Sequence, residues 1–146
     1  MLIDRDTLST LIPHDGAMCL LADVLAWDAA TIRCRATSHR DPGNPLRSGD
    51  RLSALAGIEY AAQAMAAHAA LVEGSGRRPR AGYLASLREH VCLIDRLDTL
   101  PGDLIIDADL VVGEGARVIY GFTIRHEGTL LCQGRAAVVV DEAAVV

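Results

Sequence analysis

The chain has 146 residues, of which 51% are hydrophobic and 23% charged, so it suits one folded domain with a substantial core and is not a disordered segment. Its formal net charge of −5 argues against a nucleic-acid binder, which would carry a basic footprint. All 14 basic residues are arginine and aromatics are only 3%, so the core has to be built from Ala, Val, Leu and Ile. The four cysteines, Cys19, Cys34, Cys92 and Cys132, lie far apart in apolar runs and form no C-x-x-C pair. They read as reduced, small hydrophobic residues and not as a disulfide framework or a metal site. The first residues, MLIDRDTLSTLIPH, carry two aspartates and no long apolar core, which is unlike a secretory signal and points to the cytoplasm.

Residues 4–11 read as a short amphipathic helix stopped by Pro13, and residues 18–27 as an apolar strand. Residues 31–38, TIRCRATS, alternate cleanly, with Ile32, Cys34 and Ala36 on one face and Arg33, Arg35 and Thr37 on the other. That period of two marks a half-buried strand. HRDPGNPLRSGD, residues 39–50, is dense in turn formers and reads as a loop. A long apolar helix follows over residues 52–72, then a flexible basic connection, EGSGRRPR. Strands are predicted at 82–94, 103–112, 116–126 and 129–140, joined by an LPGD corner and by short GEG and EG turns.

The order is helix, two strands, a long helix, then four strands in an antiparallel meander. It implies one α+β domain spanning 1–146, with a sheet of about six strands wrapped around a long central apolar helix. That is the hotdog fold, which typically dimerises.

The long helix, LSALAGIEYAAQAMAAHAALV, is the most informative segment. Its length would span a bilayer, but Glu59, Gln63 and His68 interrupt it, so it reads as a helix buried in protein. A carboxylate in such a helix is costly unless it is paired, protonated or used. Gln63 lies one turn beyond Glu59, with Leu55 and Gly57 on the N-terminal side. A single acid is thus offered to an otherwise apolar pocket.

Three segments resemble the 3-hydroxyacyl-[acyl-carrier-protein] dehydratases. IPHDGAMCLLADVL, residues 12–25, is similar to that family's approach to its first strand. GIEYAAQAMAAH, residues 57–68, is similar to its central helix, with an acid four residues before a glutamine. GYLASLREHVCL followed by LPGD is similar to its third strand and the corner after it. The GIEYAAQ wording and the long loop before it resemble most a divergent subgroup, the dehydratases associated with aryl polyene pigment clusters. One departure stands out. The family's histidine sits in a compact H-F-P-G turn, whereas here the nearest match is SHRDPGNP, residues 38–45, with an extra residue inside the motif.

The resemblance implies removal of water from a 3-hydroxyacyl thioester, giving a trans-2-enoyl thioester in fatty-acid or aryl-polyene-like biosynthesis. Glu59 becomes the acid, because an acid surrounded by apolar groups keeps a proton for the departing hydroxyl. His14 and His39 are rival bases for the C2 proton, with His14 ahead because the family's histidine turn is disturbed around His39. Gly57, Ile58 and Gln63 are the expected substrate-binding residues, with amides of the helix's first turn facing the thioester oxygen. No cofactor or metal is expected beyond the phosphopantetheine on which an acyl carrier protein holds the substrate. The implied partners are that carrier protein and a second hotdog subunit, identical or not, with no nucleic acid and no membrane span. Arg40, Arg47 and Arg51 before the helix, and Arg77, Arg78 and Arg80 after it, are candidates to steer an acidic carrier. Two other readings are a hotdog thioesterase, in which an ionised Glu59 activates water, and a weakly active subunit paired with a competent hotdog sibling.

Overall fold

In the computed structural model, which describes residues 3–12, 16–74, 82–114 and 117–140, a six-stranded antiparallel sheet curls around one 17-residue helix. The elements in chain order are α1 (Arg5–Leu11), β1 (Asp23–Trp27), β2 (Thr31–Ala36), α2 (Gly57–Glu73), β3 (Gly82–Cys92), β4 (Leu104–Glu114), β5 (Arg117–His126) and β6 (Thr129–Val140). The sheet and its helix are those of the hotdog fold.

Helix α2 forms because alanine has the highest helix propensity and no side-chain entropy to lose. It stops at Gly74, whose φ of 75° ends the helix and lets its N–H reach the Ala70 carbonyl. Tyr60, Ala61, Gln63, Ala64, Met65, Ala67, His68 and Ala70 are all buried. Half of these eight side chains are alanine, so the sheet can come close to the helix axis. Around them Leu8, Ile12, Leu20, Leu21, Ile32, Leu52, Leu97, Leu104, Ile106 and Ile124 close one continuous core.

Two boundaries differ by several residues from the sequence-based expectation, and each has a physical cause. The apolar run from residue 18 becomes regular strand only at Asp23. Before that, backbone groups of Met18 and Leu20 bond to side chains of α2 and of the loop after β2, not to a neighbouring strand. Likewise, residues 52–54 pair with the chain at 95–98: Leu97 N donates to Leu52 O and Ala54 N to Asp95 O, both within 2.9 Å. The Asp98 carboxylate accepts from Leu52 N at 2.9 Å and from the Arg96 guanidinium, which holds that carboxyl well below the usual range. A 3-10 turn, Ala54–Ala56, then leads into α2.

The strand order is β1-β2-β4-β5-β6-β3. Only β4, β5 and β6 form a meander, so the expected run of four is corrected: β3 pairs with β6 and forms an edge of the sheet. The LPGD corner therefore belongs to a crossover. It runs from one edge past β6 and β5 to β4, about 14 Å at the ~4.8 Å spacing of neighbouring strands. The segment between β3 and β4 spans this easily and covers the start of α2 on its way.

Gly134 on β6 faces Phe122 on β5, and a Cβ there would lie 3.0 Å from the Phe122 ring and 3.4 Å from the His90 Cα. Gly134→Ala is expected to cost about 1–3 kcal/mol through overpacking, read as a lower urea midpoint with an unchanged slope.

Candidate active site

Two polar residues of α2, Gln63 and Tyr60, carry the arrangement around the site. The Gln63 side chain is fully buried; its Oε1 accepts from Leu20 N at 2.9 Å and its Nε2 donates to Met18 O at 2.6 Å. One turn earlier, the Tyr60 hydroxyl meets Ser38 Oγ at 2.8 Å and accepts from Asn44 Nδ2 at 3.1 Å. Ser38 Oγ donates to Leu20 O at 2.7 Å, which leaves it to accept the Tyr60 proton. Asn44 Nδ2 also reaches Ser38 O, and its Oδ1 accepts from Leu46 N. Both the approach to β1 and the loop after β2 are thus fastened to the same face of α2. Burial raises the Tyr60 phenol above its ordinary value, so it stays protonated as this network needs.

His39 lies at the centre of that loop, on a short 3-10 turn, Ser38–Arg40, and is fully buried. Its Nε2 is 3.1 Å from the Leu100 carbonyl, and a carbonyl can only accept, so Nε2 carries the proton. Nδ1 is then the basic nitrogen, buried and without a hydrogen-bond partner. Desolvation lowers the His39 pKa, which the Leu100 bond only partly opposes, so the ring is neutral at pH 7. The loop is braced from behind by Arg47, which donates to His39 O at 3.0 Å and to Asp50 O at 2.9 Å. The extra residue in SHRDPGNP is thus absorbed by the turns after His39, and its ring stays in the core.

Glu59 sits in the first turn of α2, half-buried in the isolated chain. Ile58, beside it, is likewise half-buried. The two remaining expected substrate-binding residues, Gly57 and Gln63, have structural partners of their own. Gly57 N–H already donates to Ala54 O, because the 3-10 turn runs directly into α2, so it is not an open donor. Its need for glycine is steric: a Cβ would stand 2.8 Å from Ile124 Cδ1 and 3.6 Å from Cys132 Sγ. The Gln63 amide is taken up at both ends by backbone, which makes it an anchor for residues 18–20. His14 falls outside the described residues, as do Arg77, Arg78 and Arg80.

The model of the ApeP-like family, described as ApeP dehydratase, matches residues 7–145. The chain belongs to that family. It is a dehydratase of hotdog fold, and the subgroup expected from GIEYAAQ, the aryl polyene dehydratases, is the one that matches. Among solved structures, the dehydratase heterocomplex ApeI:P from Xenorhabdus doucetiae is similar at 23% identity with a TM-score of 0.80, covering 91% of this chain and 90% of that one. An HP0420 homologue from Helicobacter felis is similar at 10% identity and TM-score 0.64, covering 93% and 88%. A thioesterase mutant, PA1618 from Pseudomonas aeruginosa, shares 12% identity and a TM-score of 0.58 over 81% and 79%. At these identities the likeness is one of fold alone. A comparison with curated proteins gives no match.

Sequence reasoning did not single out Tyr60, Ser38 or Asn44. Their signal was present: a tyrosine on an otherwise aliphatic helix needs a partner for its hydroxyl, and a turn-rich loop nearby supplies one. The second buried pair, His68 with Tyr120, lies farther along α2. His68 Nε2–H donates to Asp28 O at 2.8 Å, and Nδ1 accepts from the Tyr120 hydroxyl at 2.7 Å. Burial pushes Tyr120 up to about 12, and the pair is fully satisfied, which is the signature of a fold anchor. Among the described residues no group of three or more His, Cys, Asp or Glu is placed to hold a metal ion, and no helix is long and apolar enough to cross a membrane.

The lowered pKa of His39 has a definite sign in stability. A histidine that is harder to protonate when folded contributes stability above its unfolded value of 6.5, and that stability is lost as pH falls toward the folded value. Stability should therefore decline below about pH 6.5 more steeply in the parent than in His39→Gln, measured as urea unfolding from pH 7.5 to 4.5. The His39 ring should titrate below 6.5 in a nitrogen-detected imidazole spectrum.

Proposed function

We propose that this dehydratase acts on 3-hydroxyacyl thioesters held on the phosphopantetheine of an acyl carrier protein, working against a second hotdog subunit. The observation that carries the reading is the His39 imidazole, whose Nε2–H is tied to Leu100 O while Nδ1 keeps an unshared lone pair. In the proposed step Nδ1 takes the C2 proton, which the thioester carbonyl has made acidic. Glu59 gives a proton to the C3 hydroxyl, so water leaves in place of hydroxide. The two roles need opposite protonation states, and the buried neutral ring supplies one of them.

We propose β3 as the strand that meets the second subunit. That strand is 11 residues long and forms a sheet edge, and Leu84, Val91 and Leu93 on or just after it are exposed. An open edge with apolar side chains is a pairing template. The similar ApeI:P structure is a heterocomplex. One observation favours a second reading, in which this chain supports a competent sibling: His39 is completely covered, so substrate reaches Nδ1 only if the loop moves.

For carrier docking, Arg40 and Arg51 are exposed, whereas Arg47 is committed to the loop itself. Arg40 lies 3.7 Å from Asp103, a contact that an acidic carrier could replace.

Glu59→Gln and His39→Ala should each lower single-turnover dehydration by about 10²-fold or more while keeping the fold. Product mass is the readout, since loss of water and loss of the acyl group differ. With a competent hotdog sibling present, full activity in both variants would favour the supporting-subunit reading and remove the proposed chemistry. Replacing Arg77, Arg78 and Arg80 together with serine should raise KM for carrier-bound substrate about fivefold and leave a short carrier-free thioester unaffected. Equal losses on both substrates would overturn the docking role.

A further inference from the structure

We propose that Cys92 and Cys132 form a reversible disulfide when the protein meets a peroxide, with His90 as the group that receives the Cys92 proton. The two cysteines are direct partners across β3 and β6, and their sulfurs stand 3.7 Å apart. Leu93 N donates to Leu131 O at 2.8 Å, which makes the next pair, Cys92 with Cys132, a non-hydrogen-bonded one. Such pairs bring their Cα atoms to about 4.5 Å, inside the range a disulfide spans. A disulfide needs about 2.05 Å between sulfurs, and rotation about the two χ1 angles closes the gap.

The surroundings separate the roles of the two sulfurs. Cys92 is only partly covered, and its Sγ lies 3.6 Å from His90 Nε2. Cys132 is fully buried against Ala54 O at 3.8 Å, beneath Gly57 at the start of α2. Burial and the neighbouring Cys92 push the Cys132 thiol up to about 12, so it does not react first. The His90 position is itself built. A bulge between Arg88 and Val91 places one extra residue in β3, and Glu89 takes a left-handed φ of 54° that a non-glycine residue rarely adopts. Gly134 opposite leaves the room that the His90 backbone and the Phe122 ring fill. Pairing of β3's edge with another subunit does not displace the thiols, because Cys92 packs on the core side of the sheet.

The chemistry balances with hydrogen peroxide as the oxidant. Cys92 gives its proton to His90 Nε2, and the thiolate attacks one peroxide oxygen. The O–O bond breaks, Cys92 becomes a sulfenic acid, and the departing hydroxide leaves as water with the proton from His90. Cys132 sulfur then displaces the sulfenic hydroxyl, the S–S bond forms, and a second water carries away the Cys132 proton. Two thiols lose two electrons and one peroxide becomes two waters. A dithiol reverses the step by exchange.

Trypsin makes the test direct, because cleavage at arginine isolates EHVCLIDR, residues 89–96, and HEGTLLCQGR, residues 126–135. One equivalent of peroxide on the full protein should give these two peptides linked, two hydrogens lighter than their sum, with two of the four thiols no longer titrating. Dithiothreitol should restore them. Cys92→Ser and Cys132→Ala should each abolish the linked peptide, and Cys34→Ser should not. His90→Phe should slow its formation about tenfold. The proposal is overturned if Cys92 proceeds to sulfinic acid without a link, if the link joins two chains or involves Cys19 or Cys34, or if ten equivalents of peroxide leave all four thiols free.

Discussion

A helix with no polar face has to be covered on every side, and that requirement shapes the rest of this molecule. The sheet meets α2 so closely that the ideal Cβ position of Gly57 lies 2.8 Å from Ile124 Cδ1. Any polar group carried into so tight a space must find a partner in protein, since each one left alone costs about 1–3 kcal/mol. Tyr60, Gln63 and His68 each find one, and the partners lie in segments far away in sequence: the approach to β1, the loop after β2 and the β1–β2 turn. The helix therefore does more than fill the sheet. Its few polar side chains set the position of the surrounding loops.

That is how sequence chemistry becomes site geometry here. Ser38, Asn44 and Tyr60 lock the residue beside His39, Arg47 holds the His39 carbonyl, and Leu100 O fixes the tautomer of the ring. Leu100 is in turn placed by the crossover that runs along residues 52–54. The ring is thus oriented by two independent parts of the chain, which is the arrangement a positioned base needs. Asp23, in the segment that resembles the dehydratases, is likewise a fold residue: it is buried and held by Arg35 through two hydrogen bonds of 3.1 and 2.6 Å.

What could be read from the sequence follows the same physics. Periodicity reports burial, so α2 and the alternation of Ile32, Cys34 and Ala36 were legible, and all three of those residues are buried. Periodicity does not say which strand lies beside which, and β3 was misplaced for that reason; its position is decided by a crossover whose course depends on pairing with residues 52–54. Hydrogen bonds between distant residues are also silent in sequence. Gln63 therefore read as a substrate contact one turn from Glu59, when its amide is taken up by the backbone at Met18 and Leu20. The first turn of α2 read as a source of unpaired N–H groups, as a helix start normally is, with Gly57 allowing close backbone approach. The 3-10 turn in front of it removes that opening.

The remaining tension lies between the two groups of the proposed chemistry. Glu59 is half open in the isolated chain, while His39 Nδ1 is sealed and unpaired. A partnerless nitrogen in a core is an expense that packing alone would remove, since a leucine or phenylalanine fills such space without an orphaned lone pair. Its retention makes sense where something occasionally arrives to use the lone pair. The loop that covers it is held by the Ser38–Tyr60–Asn44 anchor, by Arg47 and turn hydrogen bonds near the surface, and by the buried His39 ring with Leu46 packed on the core. A substrate that binds only a displaced form of the loop shifts the equilibrium by its own affinity. In the proposed chemistry, the covered His39 ring and the half-open Glu59 carboxyl would be completed together, by movement of the loop and by pairing with a second subunit.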